Sequence, residues 1–96
     1  MTEQNYTLLC DFYELTMGGG YFKNGFADRI TYFDVFFRNV PDNGGFAICA
    51  GLDQIINYIN NLHFTKEDID FLRSKGIFDE DFLTYLADLR FTGDIY

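Results

Sequence analysis

The stretch DFYELTMGGGYF, residues 11–22, opens with the signals of a helix and then contains three consecutive glycines. Asp11, followed three residues later by Glu14, matches the capping-box pattern of a helix N-terminus. Apolar residues then recur at helical spacing, and Gly25 is suited to close the helix. The pattern therefore predicts a helix over about residues 12–24.

The three glycines weaken this helix. Each glycine in a helix interior costs roughly 0.8–1 kcal/mol relative to alanine, so tertiary packing must hold the helix in place. A patch of glycines also leaves room for another backbone or a flat ring. We therefore expect a close packing partner against this part of the helix.

The segment that follows the helix has the composition of β-structure. ITYFDVFFR, residues 30–38, is β-branched and aromatic and predicts a strand. PDNGG, residues 41–45, is typical of a turn, and the short apolar run FAICA follows it, so a hairpin or two neighbouring strands are expected. Alternation predicts a core face formed by Thr31, Phe33, Val35 and Phe37.

Three further helices and a final strand are predicted beyond Gly51. The first has Leu and Ile at helical spacing up to residue 62. Thr65 and Asp68 form a second capping box, which opens the helix KEDIDFLRSK, and Asp79 can cap the last helix. RFTGDIY, residues 90–96, alternates again.

The predicted fold class is α+β, with an N-terminal capped helix, hairpin-like strands, three helices and a final strand in one segment, residues 1–96. A strand that stops at Tyr96 would leave an unpaired edge. Twelve Phe and seven Tyr are also more aromatic rings than a lone 96-residue domain can bury. We therefore expect this segment to be the front end of a longer chain.

Charge and cysteine content exclude several classes of function. The net charge is −8 and there is no cluster of Lys or Arg, so nucleic acid and anionic membrane surfaces are poor partners. Cys10 and Cys49 are too few and too far apart for a disulfide framework or a metal site, and their apolar surroundings predict burial. With no signal segment and no long apolar run, the cytoplasm is the expected compartment.

The sequence has no nucleophile motif, phosphate-binding loop or metalloprotease motif. His63, the only histidine, follows a predicted helix and is expected to cap it. The acidic residues cluster at helix starts, where capping explains them.

Tyr13 lies off the apolar stripe of its helix, so its ring could contact a flat ligand. Arg38 ends a predicted strand, where a guanidinium could bind phosphate or carboxylate. On pattern alone, a packed surface tyrosine and an ion-paired arginine are the more common roles for such residues.

Five stretches together resemble the N-terminal region of bacterial nicotinate phosphoribosyltransferases, from about residue 8 to residue 96. In order, they are LLCDFYELTMGGGYF, FDVFFRNVP, GFAICAGLDQIINYI, FTKEDIDFLRSKGIFDEDFLTYL and FTGDIY. The combination of D-x-Y-E-L-T-M, F-F-R and A-G-L at these spacings carries the resemblance, since any one piece alone would be weak.

The resemblance implies an enzyme that transfers a phosphoribosyl group from phosphoribosyl pyrophosphate to nicotinate, coupled to ATP. The product would be nicotinate mononucleotide, in NAD salvage. The family is typically a homodimer of two-domain α/β barrel subunits, with ATP and Mg bound mainly outside this segment. By motif, Tyr13 would stack on the pyridine ring and Arg38 would contact a phosphate, both in the partner subunit's site. The glycines would let the helix pack against the larger domain or the partner.

His63 does not match the family's phosphorylated histidine, and the catalytic barrel would lie beyond residue 96. We therefore expect these 96 residues alone to be inactive. Two alternatives remain open. One is a phosphoribosyltransferase acting on nicotinamide or quinolinate, and the other is a non-catalytic interaction domain whose aromatic strand face binds a protein.

Overall fold

The computed structural model describes residues 5–96, and within that range it contains helices and no β-strand. The elements are α1 (Phe12–Lys23), a short 3-10 turn (Pro41–Asn43), α2 (Leu52–Asn60), α3 (Lys66–Ser74) and α4 (Glu80–Asp88). All four predicted helices are therefore confirmed, whereas the predicted α+β class is wrong for this part of the chain.

The three segments predicted as strands form none within residues 5–96. The predicted core face is open to solvent, with Phe33 at 87% and Val35 at 99% exposure. A strand needs a neighbour to pair its backbone N–H and C=O groups, and no such neighbour lies within the described residues. The alternating pattern indicates a preference for extended β-structure, but a strand also requires a neighbouring strand to pair with its backbone.

The helix N-termini follow two different patterns. At α3 the predicted capping box is confirmed, because Asp68 N–H donates to Thr65 Oγ1 (3.1 Å) and Thr65 N–H donates to Asp68 Oδ2 (2.9 Å). At α1, Asp11 occupies the N-cap position without a side-chain hydrogen bond. Glu14 N–H donates instead to the main-chain oxygen of Asp11 (3.1 Å). The predicted box at Asp11 and Glu14 is therefore wrong, although the helix begins where predicted.

The C-terminus of α1 is a Schellman motif built on Gly25, as the sequence predicted for this glycine. Gly25 has φ +82°, its N–H donates to the Phe22 oxygen (3.2 Å), and Phe26 N–H donates to the Tyr21 oxygen (2.9 Å). The rings of Tyr21 and Phe26 meet edge to face, with centroids 6.5 Å apart. This hydrophobic contact commonly accompanies the motif, so the helix ends sharply.

The core lies between α3 and α4, and α1 packs across α4. Leu72 of α3 and Leu83 of α4 are its most deeply buried side chains. The buried apolar set is Phe64, Ile69, Leu72, Phe82, Leu83 and Leu86. From α1, Leu15 and Phe22 pack against this set, which places α1 on the core by one face only.

The packing partner of the α1 glycines is the ring of Phe82 on α4. A Cβ built at Gly18 would lie 3.6 Å from Cζ of Phe82, and one built at Gly19 would lie 3.4 Å from Cδ2 and Cε2. A methyl group would thus just touch the ring, and any larger side chain would push α1 away. The close contact expected at the glycines is made within this chain, while Gly20 has no heavy atom within 4 Å.

A bidentate ion pair also joins α3 to α4. Arg73 donates from Nε to Glu80 Oε1 (2.8 Å) and from Nη2 to Glu80 Oε2 (3.1 Å), and its Nη1 donates to Asp70 Oδ1 (2.8 Å). The hydrogen bond from Arg73 lowers the pKa of Glu80 below its usual range. Because the pair is exposed to solvent, it contributes little to the free energy of unfolding.

We predict that Gly20→Ala stabilises the chain by about 1 kcal/mol, because the position is an open helix interior where glycine carries only its entropic cost. Urea unfolding followed by the helical circular dichroism signal measures this change. The contrasting variant is Gly19→Leu, which should destabilise the chain because its side chain would collide with Phe82. Equal effects of the two variants would contradict the packing of α1 on α4.

We predict that Glu80→Gln flattens the loss of stability in acid. A carboxylate whose folded pKa is lowered stabilises the fold above its unfolded pKa, and that contribution disappears as the pH falls through the folded pKa. Unfolding experiments at neutral and acidic pH, with Glu67→Gln as a control of equal charge on α3, measure the difference. The same acid dependence in wild type and Glu80→Gln would argue against the Arg73 pair.

Candidate functional site

Tyr13 lies on the first turn of α1 with its side chain exposed at 60%. Thr16 Oγ1 donates to the main-chain oxygen of Tyr13 (3.0 Å), and within residues 5–96 the tyrosine ring makes no ring–ring or cation–π contact. Tyr13, Met17, Gly20 and Tyr21 follow one another at helical spacing and form what we call the exposed face of α1. The ring of Tyr13 is therefore free to contact a planar ligand.

A shallow, open depression lies further along this face. It is lined by Met17, Gly20, Tyr21, Asn24 and Phe26. The absence of a side chain on Gly20 contributes to it. A depression this open cannot enclose a small molecule by itself, so the exposed face of α1 offers a contact surface and lacks the walls of a pocket.

Arg38 is exposed at a bend and, within residues 5–96, is the basic side chain with no partner. The other six basic residues each have one. Lys23, Lys66 and Arg73 pair with carboxylates, Arg29 and Lys75 lie over aromatic rings, and Arg90 donates to a carbonyl. An unpaired guanidinium retains all its donors for an external anion.

The structure does not bring Tyr13 and Arg38 together. No hydrogen bond, ion pair or ring contact joins the two among the described residues, since Tyr13 is carried by α1 and Arg38 by the irregular segment between α1 and α2. Each side chain is available, yet residues 5–96 do not by themselves form a closed site. Residues 5–96 therefore show no site that uses both side chains.

His63 belongs to a structural network, in agreement with its predicted capping role. Its ring Nδ1 lies 2.6 Å from the main-chain oxygen of Asn61, at the end of α2. Its main-chain N–H donates to Thr7 Oγ1 (3.3 Å). Asn5 Nδ2 donates to the His63 oxygen (3.0 Å), and Thr7 is buried. This anchoring of the N-terminal segment was not predicted, because no local pattern links residues more than fifty positions apart.

Among residues 5–96, neither the acidic residues nor the cysteines form a metal-binding cluster. Within the described part of the chain, no group of three or more His, Cys, Asp and Glu could hold a metal ion. Cys10 and Cys49 are both exposed, so their predicted burial is wrong. Partial desolvation, then the charges of Glu14 and Asp11, raise the pKa of the Cys10 thiol, which makes it a poor nucleophile. Among residues 5–96, no helix is long and apolar enough to cross a membrane.

Comparison with known proteins identifies the class. Residues 8–96 match the family described as the nicotinate phosphoribosyltransferase (NAPRTase) N-terminal domain. The chain belongs to this family, and the predicted resemblance is confirmed. The match includes the exposed face of α1, Arg38 and the core built by α3 and α4.

Individual relatives agree with this assignment. The chain is 34% identical over 89 residues to a nicotinate phosphoribosyltransferase of Mycobacterium tuberculosis, covering 93% of this chain and 19% of the relative. It is 35% identical over 81 residues to that of Bacillus subtilis (84% and 16%) and 41% identical over 87 residues to that of Caenorhabditis elegans (86% and 15%). The chain thus spans less than a fifth of the length of each of these relatives.

Proposed function

We propose that this chain is the N-terminal part of an enzyme that makes nicotinate mononucleotide from nicotinate and phosphoribosyl pyrophosphate, with ATP, in NAD salvage. The observation that carries the proposal is the match of residues 8–96 to the N-terminal domain of this family. The name of the relatives supplies the substrate and the reaction class. The protein would act in the cytoplasm as a homodimer, and residues 1–96 alone would be inactive.

The two candidate residues have the properties that such a reaction needs. A phosphoribosyl transfer forms a bond from the pyridine nitrogen to the ribose C1 as pyrophosphate leaves. The flat pyridine must be held in line, the phosphate charges must be neutralised and water must be excluded. The exposed ring of Tyr13 is suited to stacking on the pyridine, and the unpaired guanidinium of Arg38 is suited to a phosphate.

Both residues would act in the site of the partner subunit. This arrangement is supported by the exposure of Tyr13 and Arg38, which leaves both free to reach a surface outside residues 5–96. The exposed face of α1 would lie along the partner, with Gly20 allowing a close approach of backbone. Stacking and phosphate contact would then come from one subunit and the rest of the site from the other.

ATP and Mg, which the family implies, find no fitting site in this part of the protein. Residues 5–96 hold no group of acidic and histidine side chains suited to a metal ion, and their one unpaired basic side chain is Arg38. ATP and Mg would therefore bind mainly in polypeptide outside residues 1–96.

We predict that Tyr13→Ala in the longer enzyme raises the KM for nicotinate by about tenfold or more, since the lost stacking is worth about 1–1.5 kcal/mol. Steady-state kinetics with varied nicotinate measures the change. Tyr13→Phe is the matched control, because it keeps the ring face and removes only the hydroxyl. An unchanged KM in Tyr13→Ala would rule out the stacking role.

We predict that Arg38→Gln raises the KM for phosphoribosyl pyrophosphate by about tenfold or more, because a hydrogen bond to a charged group contributes about 1.5–3 kcal/mol. The KM for nicotinate should change much less. Arg90→Gln removes the same charge from a residue that donates to its neighbouring carbonyl and serves as the control. If the two variants behave alike, Arg38 contributes only general charge.

The exposed apolar segment favours one alternative of a different class, a non-catalytic interaction domain. Tyr32, Phe36 and Ile48 are each at least 74% exposed, as expected of a surface that binds protein. Assay of the longer protein separates the two, since a binding module would show no phosphoribosyl transfer. Competition among nicotinate, nicotinamide and quinolinate in the same assay identifies the preferred substrate.

A further inference from the structure

The chain contains two Asn–Gly pairs, Asn24–Gly25 and Asn43–Gly44. In such a pair, the main-chain nitrogen of the glycine can attack the side-chain amide carbon of the asparagine, because glycine has no side chain to shield its nitrogen. The reaction requires a mobile asparagine side chain and a backbone that can turn toward it. The two pairs share the same local chemistry, so any difference between them comes from the fold.

Asn24 is held in place by the end of α1. It is the C-cap residue, and its Nδ2 donates to the Gly20 oxygen over 2.7 Å. The following glycine is part of the Schellman motif, in which its N–H donates to the Phe22 oxygen. Cyclisation at Asn24 would have to break the side-chain hydrogen bond and disrupt the helix end.

Asn43 is exposed, and within residues 5–96 its side chain forms no hydrogen bond. It has φ +54° and follows Asp42 at φ +55°, so two consecutive residues other than glycine occupy the left-handed region, which costs energy. Gly44 N–H donates to the Pro41 oxygen (3.0 Å), much as Gly25 N–H donates to Phe22. The main-chain nitrogens of Gly44 and Gly25 are therefore comparable nucleophiles. The two pairs differ in whether a hydrogen bond restrains the asparagine side chain.

We propose that Asn43 is a site of spontaneous deamidation in this protein, and that Asn24 is protected by its cap. The Gly44 nitrogen forms a bond to Cγ of Asn43, the bond from Cγ to Nδ2 breaks, and ammonia leaves with the proton of the Gly44 nitrogen. Water then opens the five-membered ring. Attack at Cγ yields aspartate, and attack at the main-chain carbonyl carbon yields isoaspartate.

The products would alter the turn at residues 41–45. Either product adds a carboxylate beside Asp42 in a chain whose net charge is already −8. Isoaspartate also adds a methylene to the main chain, which lengthens the backbone of this turn. The modification would therefore act on the connection between the two exposed apolar runs that flank the turn.

The test is peptide mapping by mass spectrometry of the full chain during incubation in mildly alkaline buffer. Deamidation raises the mass of the peptide by about one unit, and fragmentation assigns the gain to Asn43 or Asn24 and separates aspartate from isoaspartate. We expect Asn43 to convert about tenfold faster than Asn24, since at least one hydrogen bond of ordinary strength and the helix end restrain only the latter.

Two controls keep the test decisive. Incubation in urea should bring the two rates together, because unfolding releases Asn24. Gly44→Ala is the matched variant, since Gly44 has negative φ and a Cβ there would meet only ordinary contacts, 3.5 Å from the Pro41 oxygen. It should slow conversion at Asn43 and leave Asn24 unchanged. The proposal fails if Asn24 converts as fast as Asn43 in the folded chain, if urea leaves the ratio unchanged, or if Gly44→Ala has no effect.

Discussion

The contact between the glycines of α1 and the ring of Phe82 organises the described part of this protein. Phe82 is 4% exposed, and its ring also contacts those of Phe22 and Phe78 at centroid distances of 5.8 and 5.9 Å. Without side chains at Gly18 and Gly19, the backbone of α1 lies directly on this ring. One face of α1 is thereby placed on the core, and the opposite face, with Tyr13, is left exposed. The exposure of Tyr13, the candidate ligand-binding residue, thus follows from the packing of α1 on Phe82.

The second constraint is the shortage of partners for the segment between α1 and α2. Its aromatic and β-branched side chains are mostly exposed, and no pairing of its backbone into a ladder occurs within residues 5–96. Burial of apolar surface stabilises a fold by roughly 25 cal/mol per Å², so a segment this apolar is more stable when covered. The relatives are at least five times longer than the part matched here.

The contacts of the basic residues distinguish side chains that hold the fold together from side chains that are free to bind a ligand. Arg73 is committed to joining α3 to α4, and its counter-charges Asp70 and Glu80 lie on those two helices. Arg38 has no such partner among the described residues, although the chain is strongly acidic. A motif match alone does not distinguish a structural arginine from an available one, and here the three-dimensional arrangement does so.

The sequence by itself determined the four helices, the Thr65 capping box, the glycine end of α1 and the family, because each depends on residues close together in the chain or on motifs in a given order. Only the tertiary structure decided that Gly18 and Gly19 face Phe82, that the apolar segments lack strand partners within residues 5–96, that both cysteines are exposed and that Asn5 and Thr7 contact His63. These features depend on which distant residues meet, and local propensity carries no information about that. The positions of Tyr13 and Arg38 were read from motifs, but their availability is a property of the fold, since exposure and pairing depend on the whole set of neighbours.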